Sequence, residues 1–318
     1  MSLHRRDFLK QLGQASAAAA FLPVLGDALA ASPKKMFFEI SLAEWSLHKA
    51  IFGKQLSNLD FPVKAKKDFG ITIVEYVNTC FFDGTHTFKE NATNQTYLKE
   101  LLMRCKDNGV RNHLIMCDAE GNLGDLDDAK RKQAVENHYK WVEAAKFLGC
   151  ATIRVNAAGE GTADEVAKAA TDGLGRLSEF AAKSKINVIV ENHGGYSSDG
   201  QWLSKVMKAV NMKNCGTLPD FGNFCLKWQA NHAGCDESYD RYKGTEELMP
   251  FAKGVSAKTY NFDEKGNEKD MDYAKLLKIV KQAGFKGIVG IEYEGSTLTE
   301  EEGIRKTKAL LERVGGIV

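Results

Sequence analysis

Asn187-Val-Ile-Val-Glu-Asn-His-Gly-Gly195 runs a short series of strand-forming residues straight into a carboxylate, an amide and an imidazole, and two glycines end it. An ordinary strand ends in turn residues; one that delivers Glu191 and His193 at its C-terminal tip has the form of a functional site. The construction recurs at Gly216-Thr-Leu-Pro-Asp220, Gly254-Val-Ser-Ala-Lys258 and Ile288-Val-Gly-Ile-Glu292. Several apolar runs therefore lead into a carboxylate or an amine.

Outward from these four runs, eight strands are expected: 36–43, 71–77, 110–117, 151–156, 186–191, 216–220, 254–259 and 287–292. Helical spacing is clearest over 127–148, 163–184, 200–210, 272–283 and 299–314, and Thr299-Glu-Glu-Glu302 has a capping-box arrangement. Strands that are mostly apolar rather than alternating, each followed by a helix, belong to a parallel sheet covered by helices. Eight such repeats close an α/β barrel, so the expected fold is a (β/α)8 TIM barrel with eight parallel strands. An open doubly wound sheet is the alternative, but Ile40-Ser-Leu-Ala-Glu-Trp45 carries no glycine where that fold places its phosphate loop. The piece 221–241, rich in Asn, Gly, His and Trp, reads as an extended irregular loop at the barrel mouth.

The first thirty residues stand apart. Arg5-Arg6-Asp7-Phe8-Leu9-Lys10 precedes a mild apolar stretch, and Ala28-Leu29-Ala30 has the small-x-small form of a cleavage site. This resembles a twin-arginine export signal, which makes residues 1–30 the signal, 31–318 a single barrel domain, and the location periplasmic or otherwise exported. The apolar run is too short to span a membrane. A formal net charge of +1 without a basic block argues against nucleic acid and an anionic membrane surface, leaving a small molecule as the partner. The seven cysteines have no CxxC spacing. Those at 105, 117, 150 and 215 read as buried free thiols; Cys225 and Cys235 are taken as unpaired too, with a disulfide in an oxidising compartment as the alternative.

In a barrel, strand C-termini converge on one face. The polar residues delivered there are Glu44, Trp45, Glu75, Asn78, Asp118, Glu120, Asn156, Glu191, His193, Asp220, Asn223, Lys258, Glu292 and Glu294. Clustered carboxylates need a compensating cation, and oxygen ligands favour a hard divalent ion. Glu75 and Glu294 also fit exposed loop-edge charges, and Asp118-Ala-Glu-Gly-Asn122 also fits a turn. Trp45 and Trp228 suit either the core or an aromatic platform for a sugar ring.

With Glu191, Asp220 followed by Gly-Asn, and Glu292 in place, the chain from about residue 35 onward resembles the xylose-isomerase-like barrel superfamily, which includes sugar isomerases, ketose 3-epimerases, inosose dehydratases and endonuclease IV-type repair enzymes. The segments 255–263 and 291–295 are similar to exported members of the sugar phosphate isomerase/epimerase type. The resemblance implies that Glu191, Asp220 and Glu292 bind a divalent metal (Mn, Mg or Zn). It implies further that Glu191 and Glu292 act as acid and base, with Lys258 as a third catalytic group. Glu44, Trp45, Asn156, His193 and Asn223 are the expected substrate contacts. Two departures stand out: Ser256 occupies the position where many relatives have a histidine ligand, and Asn223 a second position where histidine is common.

An endonuclease would need a histidine-rich zinc cluster and a basic surface, and this chain has neither. The leading expectation is a metal-assisted sugar isomerase or epimerase that removes the proton next to a carbonyl. A lyase or dehydratase eliminating from a keto-sugar or keto-glycoside at the same site is the alternative, and a noncatalytic sugar-binding barrel the second alternative. A homo-oligomer is compatible with all three.

Overall fold

The structure, a computed structural model, describes residues 36–230 and 234–318. The expected export signal and the expected mature start at residue 31 lie outside the described residues. The strands in chain order are β1 (Glu39–Ala43), β2 (Ile73–Val77), β3 (Arg111–Met116), β4 (Thr152–Val155), β5 (Asn187–Glu191), β6 (Cys215–Leu218), β7 (Cys225–Trp228), β8 (Cys235–Ser238), β9 (Val255–Thr259) and β10 (Ile288–Tyr293). Eight of them form one parallel sheet in the order β6-β5-β4-β3-β2-β1-β10-β9. Its two ends meet: Thr217 bridges Ala252 and Asp220 bridges Ser256, both in parallel. Pro219 has no N–H to donate, so this last seam is a pair of bridges rather than a continuous ladder. The chain is a (β/α)8 barrel.

Among the described residues ten helices accompany the strands: α1 (His48–Phe52), α2 (Phe61–Phe69), α3 (Phe88–Asn91), α4 (Gln95–Asn108), α5 (Asp128–Leu148), α6 (Ala163–Lys183), α7 (Gly200–Val210), α8 (Arg241–Leu248), α9 (Tyr273–Gln282) and α10 (Glu300–Gly315). From α3 onward their starts are capped by side chains, with Thr87 on α3, Thr162 on α6 and Thr299 on α10 in full capping boxes. Among the described residues no helix is long and apolar enough to cross a membrane.

The irregular loop expected over 221–241 is instead an antiparallel hairpin, β7 with β8, followed by the start of α8. Cys225 and Cys235, expected as free thiols, form a disulfide there with Cα atoms 5.8 Å apart. The hairpin brings the two cysteines to bonding distance, which sequence spacing alone does not express. Cys105, Cys117 and Cys150 are buried free thiols as expected, and Cys215 is half-buried.

Side chains of α6 face the barrel so closely that a Cβ on Gly173 would lie 2.2 Å from the Leu123 carbonyl oxygen, whereas a Cβ on Gly175 meets nothing within 4 Å. Alanine gains up to about 1 kcal/mol over glycine in a helix interior, but overpacking against backbone costs about 1–3 kcal/mol. Urea denaturation will show Gly175→Ala more stable than the parent protein and Gly173→Ala less stable.

Candidate active site

Glu191 ends β5, Asp220 follows β6 and Glu292 lies near the end of β10. One carboxylate oxygen from each falls within 4.8 Å of the others, and all three residues are buried. Three different walls of the barrel thus deliver three carboxylates to one point. The Asp220 backbone N–H donates to Asn192 Oδ1 at 2.7 Å, and Asp220 Oδ1 accepts from the N–H groups of Gly222 and Asn223, each at 2.8 Å. Asn223 Nδ2 donates to Glu191 Oε1 at 3.0 Å.

Two buried cations flank the three acids. Lys258 Nζ donates to Glu292 Oε1 at 2.9 Å and to Glu294 Oε1 at 3.0 Å, and lies 3.8 Å from Asp220 Oδ2. Arg154 Nε lies 2.9 Å from Glu191 Oε2, while its Nη1 donates to Asp118 Oδ1 at 2.7 Å. The Arg154–Glu191 contact is an ion pair without hydrogen-bond alignment, so Glu191 Oε2 is left without a hydrogen-bond partner.

Burial raises the carboxyls of Glu191 and Asp220 to about 7, against the opposing pull of Arg154 and Lys258 respectively. Burial also opposes ionisation of Glu292, but Lys258, Arg154 and Ser256 together hold it below the ordinary carboxylate value. Asp118 is only half-buried, and Arg154 holds it down at about 2. Ser256 Oγ lies 2.5 Å from Asp220 Oδ2 and 2.9 Å from Glu292 Oε2. A hydroxyl has one proton for two acceptors, so the second contact is good only when a carboxyl proton supplies it. A protonated Asp220 donating to Ser256, which donates to ionised Glu292, satisfies both contacts.

The carboxylate donor set and the unpartnered Glu191 oxygen suit a hard divalent ion, with Glu191, Asp220 and Glu292 as its ligands. Ser256, in the histidine position, hydrogen-bonds two of these three carboxylates. Asn223, in the second histidine position, hydrogen-bonds the third.

The remaining sequence candidates divide. Asn156 and His193 line a cavity of about 420 Å³ among the loops after β3, β4 and β5, with Asn156 Nδ2 donating to Asp118 Oδ1 at 2.8 Å. Trp45 stacks on His48 with ring centroids 4.7 Å apart and meets Phe52 edge-on, forming an aromatic wall at the end of β1. Glu44, expected to touch substrate, is fully buried; its oxygens accept from Asn58 Nδ2 at 2.7 Å and the Val77 N–H at 2.9 Å. Burial raises it to about 8, and in this arrangement it braces the β1–β2 seam instead of facing a ligand.

Glu75 is not the loop-edge charge that its position allowed. It sits in mid-β2 inside the barrel, one oxygen bonded to Ser41 Oγ at 2.6 Å and the other unpartnered. Gly290 makes room for it, since a Cβ there would lie 2.8 Å from Glu75 Oε2. Glu120 serves the turn after β3, accepting from Lys140 Nζ and Trp141 Nε1, both at 2.8 Å. Arg154 is the residue that the sequence reading missed. Its signal was a lone cation in an apolar parallel strand, two residues before Asn156 and so on the same face.

A barrel whose acidic centre lies at the C-terminal strand ends belongs to the class of TIM-barrel proteins that carry their sites on that face. The family model described as xylose isomerase-like TIM barrel matches residues 63–314, and the chain belongs to that family. No curated protein sequence matches it. A D-tagatose 3-epimerase-like protein superposes with a TM-score of 0.64 at 19% identity, covering 87% of this chain and 97% of its own. The 3-keto-D-glucoside 4-epimerase YcjR from E. coli gives 0.61 at 15% identity, over 87% and 99% of the two chains. A xylose isomerase-like barrel from Mycobacterium smegmatis in complex with magnesium gives 0.61 at 12% identity, over 88% and 98%. At these identities the likeness establishes the fold alone.

Burial raises Glu75 to about 7 from an ordinary 4.5, assisted by the charges of Glu292 and Glu191. A carboxyl raised on folding stabilises fully below its unfolded value, and that contribution is lost as pH rises through the folded value. In chelator-treated protein, raising the pH from 5 to 8 will therefore reduce the stability of the parent by up to about 3 kcal/mol more than that of Glu75→Gln. Denaturant titrations at the two pH values measure the difference.

Proposed function

We propose that this barrel is an enzyme of sugar metabolism, an isomerase or epimerase that removes and returns the proton next to a carbonyl group. The observation that carries the reading is the buried meeting of Glu191, Asp220 and Glu292 from three walls of the barrel. A divalent cation held by these residues would supply the positive charge that a carbonyl oxygen needs as its neighbouring proton leaves. The other roles belong to the protein's own side chains.

Glu292, kept ionised by Lys258 and Ser256, is poised to accept a proton. Glu191, held by Asn223 and facing the Arg154 guanidinium, is placed to return one. Two carboxyls on different strands form a natural base and acid pair. Because they stand on different strands, β5 and β10, a substrate bound over the three acids would meet a proton acceptor from one wall and a donor from another, an arrangement suited to inversion. Lys258 neutralises Glu292, and Arg154 does the same for Glu191 and Asp118. His193 and Asn156 offer hydrogen bonds at the mouth, and Trp45 offers a ring face.

The same proton removal begins a β-elimination, so product analysis rather than geometry separates an epimerase from a lyase. We further propose that the protein works outside the cytoplasm. The Arg5-Arg6 signal and the Cys225–Cys235 pairing support an oxidising, exported setting.

Elemental analysis of the purified protein will give about one divalent ion per chain, lost in Asp220→Asn. In deuterated water the parent will place deuterium on carbon in ketoses such as D-fructose and D-tagatose. Glu191→Gln and Glu292→Gln will each lower that rate about 10²–10⁴-fold. Sugar binding with neither metal nor exchange would replace the enzyme by a noncatalytic sugar-binding barrel.

A further inference from the structure

A second cavity of about 580 Å³ lies between the loops after β4 and β5 and the disulfide-closed hairpin. It shares Ala157, Ala158, Gly194 and Ser197 with the smaller cavity lined by Asn156 and His193, so the two form one continuous trough. None of the three acids lines either cavity; His193, two residues after Glu191, is the lining residue nearest to them in the chain, and nothing in the proposed chemistry uses the larger cavity. Its lining is mixed. Tyr196 and Trp202 stack at 5.8 Å between centroids on one side, and Leu226, Lys227 and Glu237 of the hairpin face them from the other. An apolar ring surface bordered by a few charged hydrogen-bonding groups is the lining that suits a sugar ring.

The hairpin is fixed relative to the acids. Asn223, two residues before β7, donates to Glu191 through its side chain, and its carbonyl accepts from Asn192 Nδ2 at 2.9 Å and Ser198 Oγ at 2.6 Å. Trp228 lies against the loop after β5, its Nε1 3.0 Å from where a Gly194 Cβ would be. The disulfide closes the hairpin across ten residues. A wall tied this firmly to Glu191 holds a constant distance between the acids and the second cavity.

We infer that the second cavity is a subsite for an additional sugar unit, so that the preferred substrate is a glycoside of the reacting sugar rather than a free monosaccharide. The inference rests on the proton-transfer reading of the three acids. The reacting sugar lies at Glu191 and Glu292, the trough passes His193, and the second ring lies between Tyr196 and the hairpin. No group is transferred to or from the second ring; it supplies binding and position only.

The test compares D-fructose with lactulose and maltulose, in which a hexose is joined to O4 of fructose. Carbon-bound deuterium uptake and calorimetric binding are measured on the metal-loaded parent, Ala158→Trp, which fills the trough, and Tyr196→Ala, which removes its ring. In the parent at least one disaccharide will exceed fructose about tenfold in kcat/KM or affinity, the scale of one good ring contact. In both variants that ratio will fall toward one. Should Ala158→Trp fail to fold, Tyr196→Ala carries the comparison. Equal handling of fructose and both disaccharides by the parent would overturn the subsite and leave the proposed reaction standing. A preference that survives in the folded variants would overturn it as well. Disaccharide preference in binding without any deuterium uptake would keep the subsite and remove the reaction.

Discussion

Two buried cations, Arg154 and Lys258, hold together an interior that would otherwise repel itself. Glu191, Asp220 and Glu292 meet within 4.8 Å, with Glu75, Asp118 and Glu294 close by. Desolvating an ionised carboxylate costs several kcal/mol even after relaxation, and pairing offsets it only when geometry is good and further hydrogen bonds satisfy the remaining oxygens. Arg154 therefore reaches both Glu191 and Asp118, and Lys258 reaches Glu292, Glu294 and Asp220. Even so, Glu191 and Asp220 are raised to about 7. These raised values mark a centre short of positive charge, where a cation recruited from solution would fit.

The barrel is what makes such crowding possible. Strands of a closed parallel sheet turn alternate residues inward, and here the inward set includes Ser41, Glu75, Arg154, Ser256 and Lys258 in place of the branched apolar side chains that fill many barrels. The outward set packs under the helices and carries the core: Leu42, Val74, Ile153, Val190 and Ile291 are fully buried. Stability and chemistry are thus divided between the two faces of the same strands.

That division also explains what was legible in the sequence. Outward residues and the helix spacing expose the eight strands, and carboxylates at strand ends stand out because the apolar run stops there. Glu191, Asp220, Lys258 and Glu292 were readable on that ground. Arg154 and Glu75 were harder, because a charge in mid-strand looks the same whether it faces solvent, a loop edge or a barrel interior; only closure of the sheet decides. Glu44 was misjudged for a related reason. It ends a strand as the others do, but the chain turns at once into a helical segment that sends its carboxylate to Asn58 and the Val77 N–H. The hairpin escaped notice because its two strands are four residues each and exposed over most of their length, with no apolar face to announce them.

The two positions where histidine is common acquire a different meaning from this geometry. Ser256 does not leave an empty place: its hydroxyl links Asp220 to Glu292 across the seam where β6 meets β9. Asn223 is a strut rather than a ligand, since one amide group ties Glu191 to the root of the hairpin. A histidine ligand helps hold its site together through the cation; a hydroxyl and an amide hold the carboxylates through hydrogen bonds that do not depend on it. The three acids are in this way positioned by the protein before any cation binds. The same bonds join them to the wall of the neighbouring cavity, so Asn223 couples the placement of Glu191 to that wall.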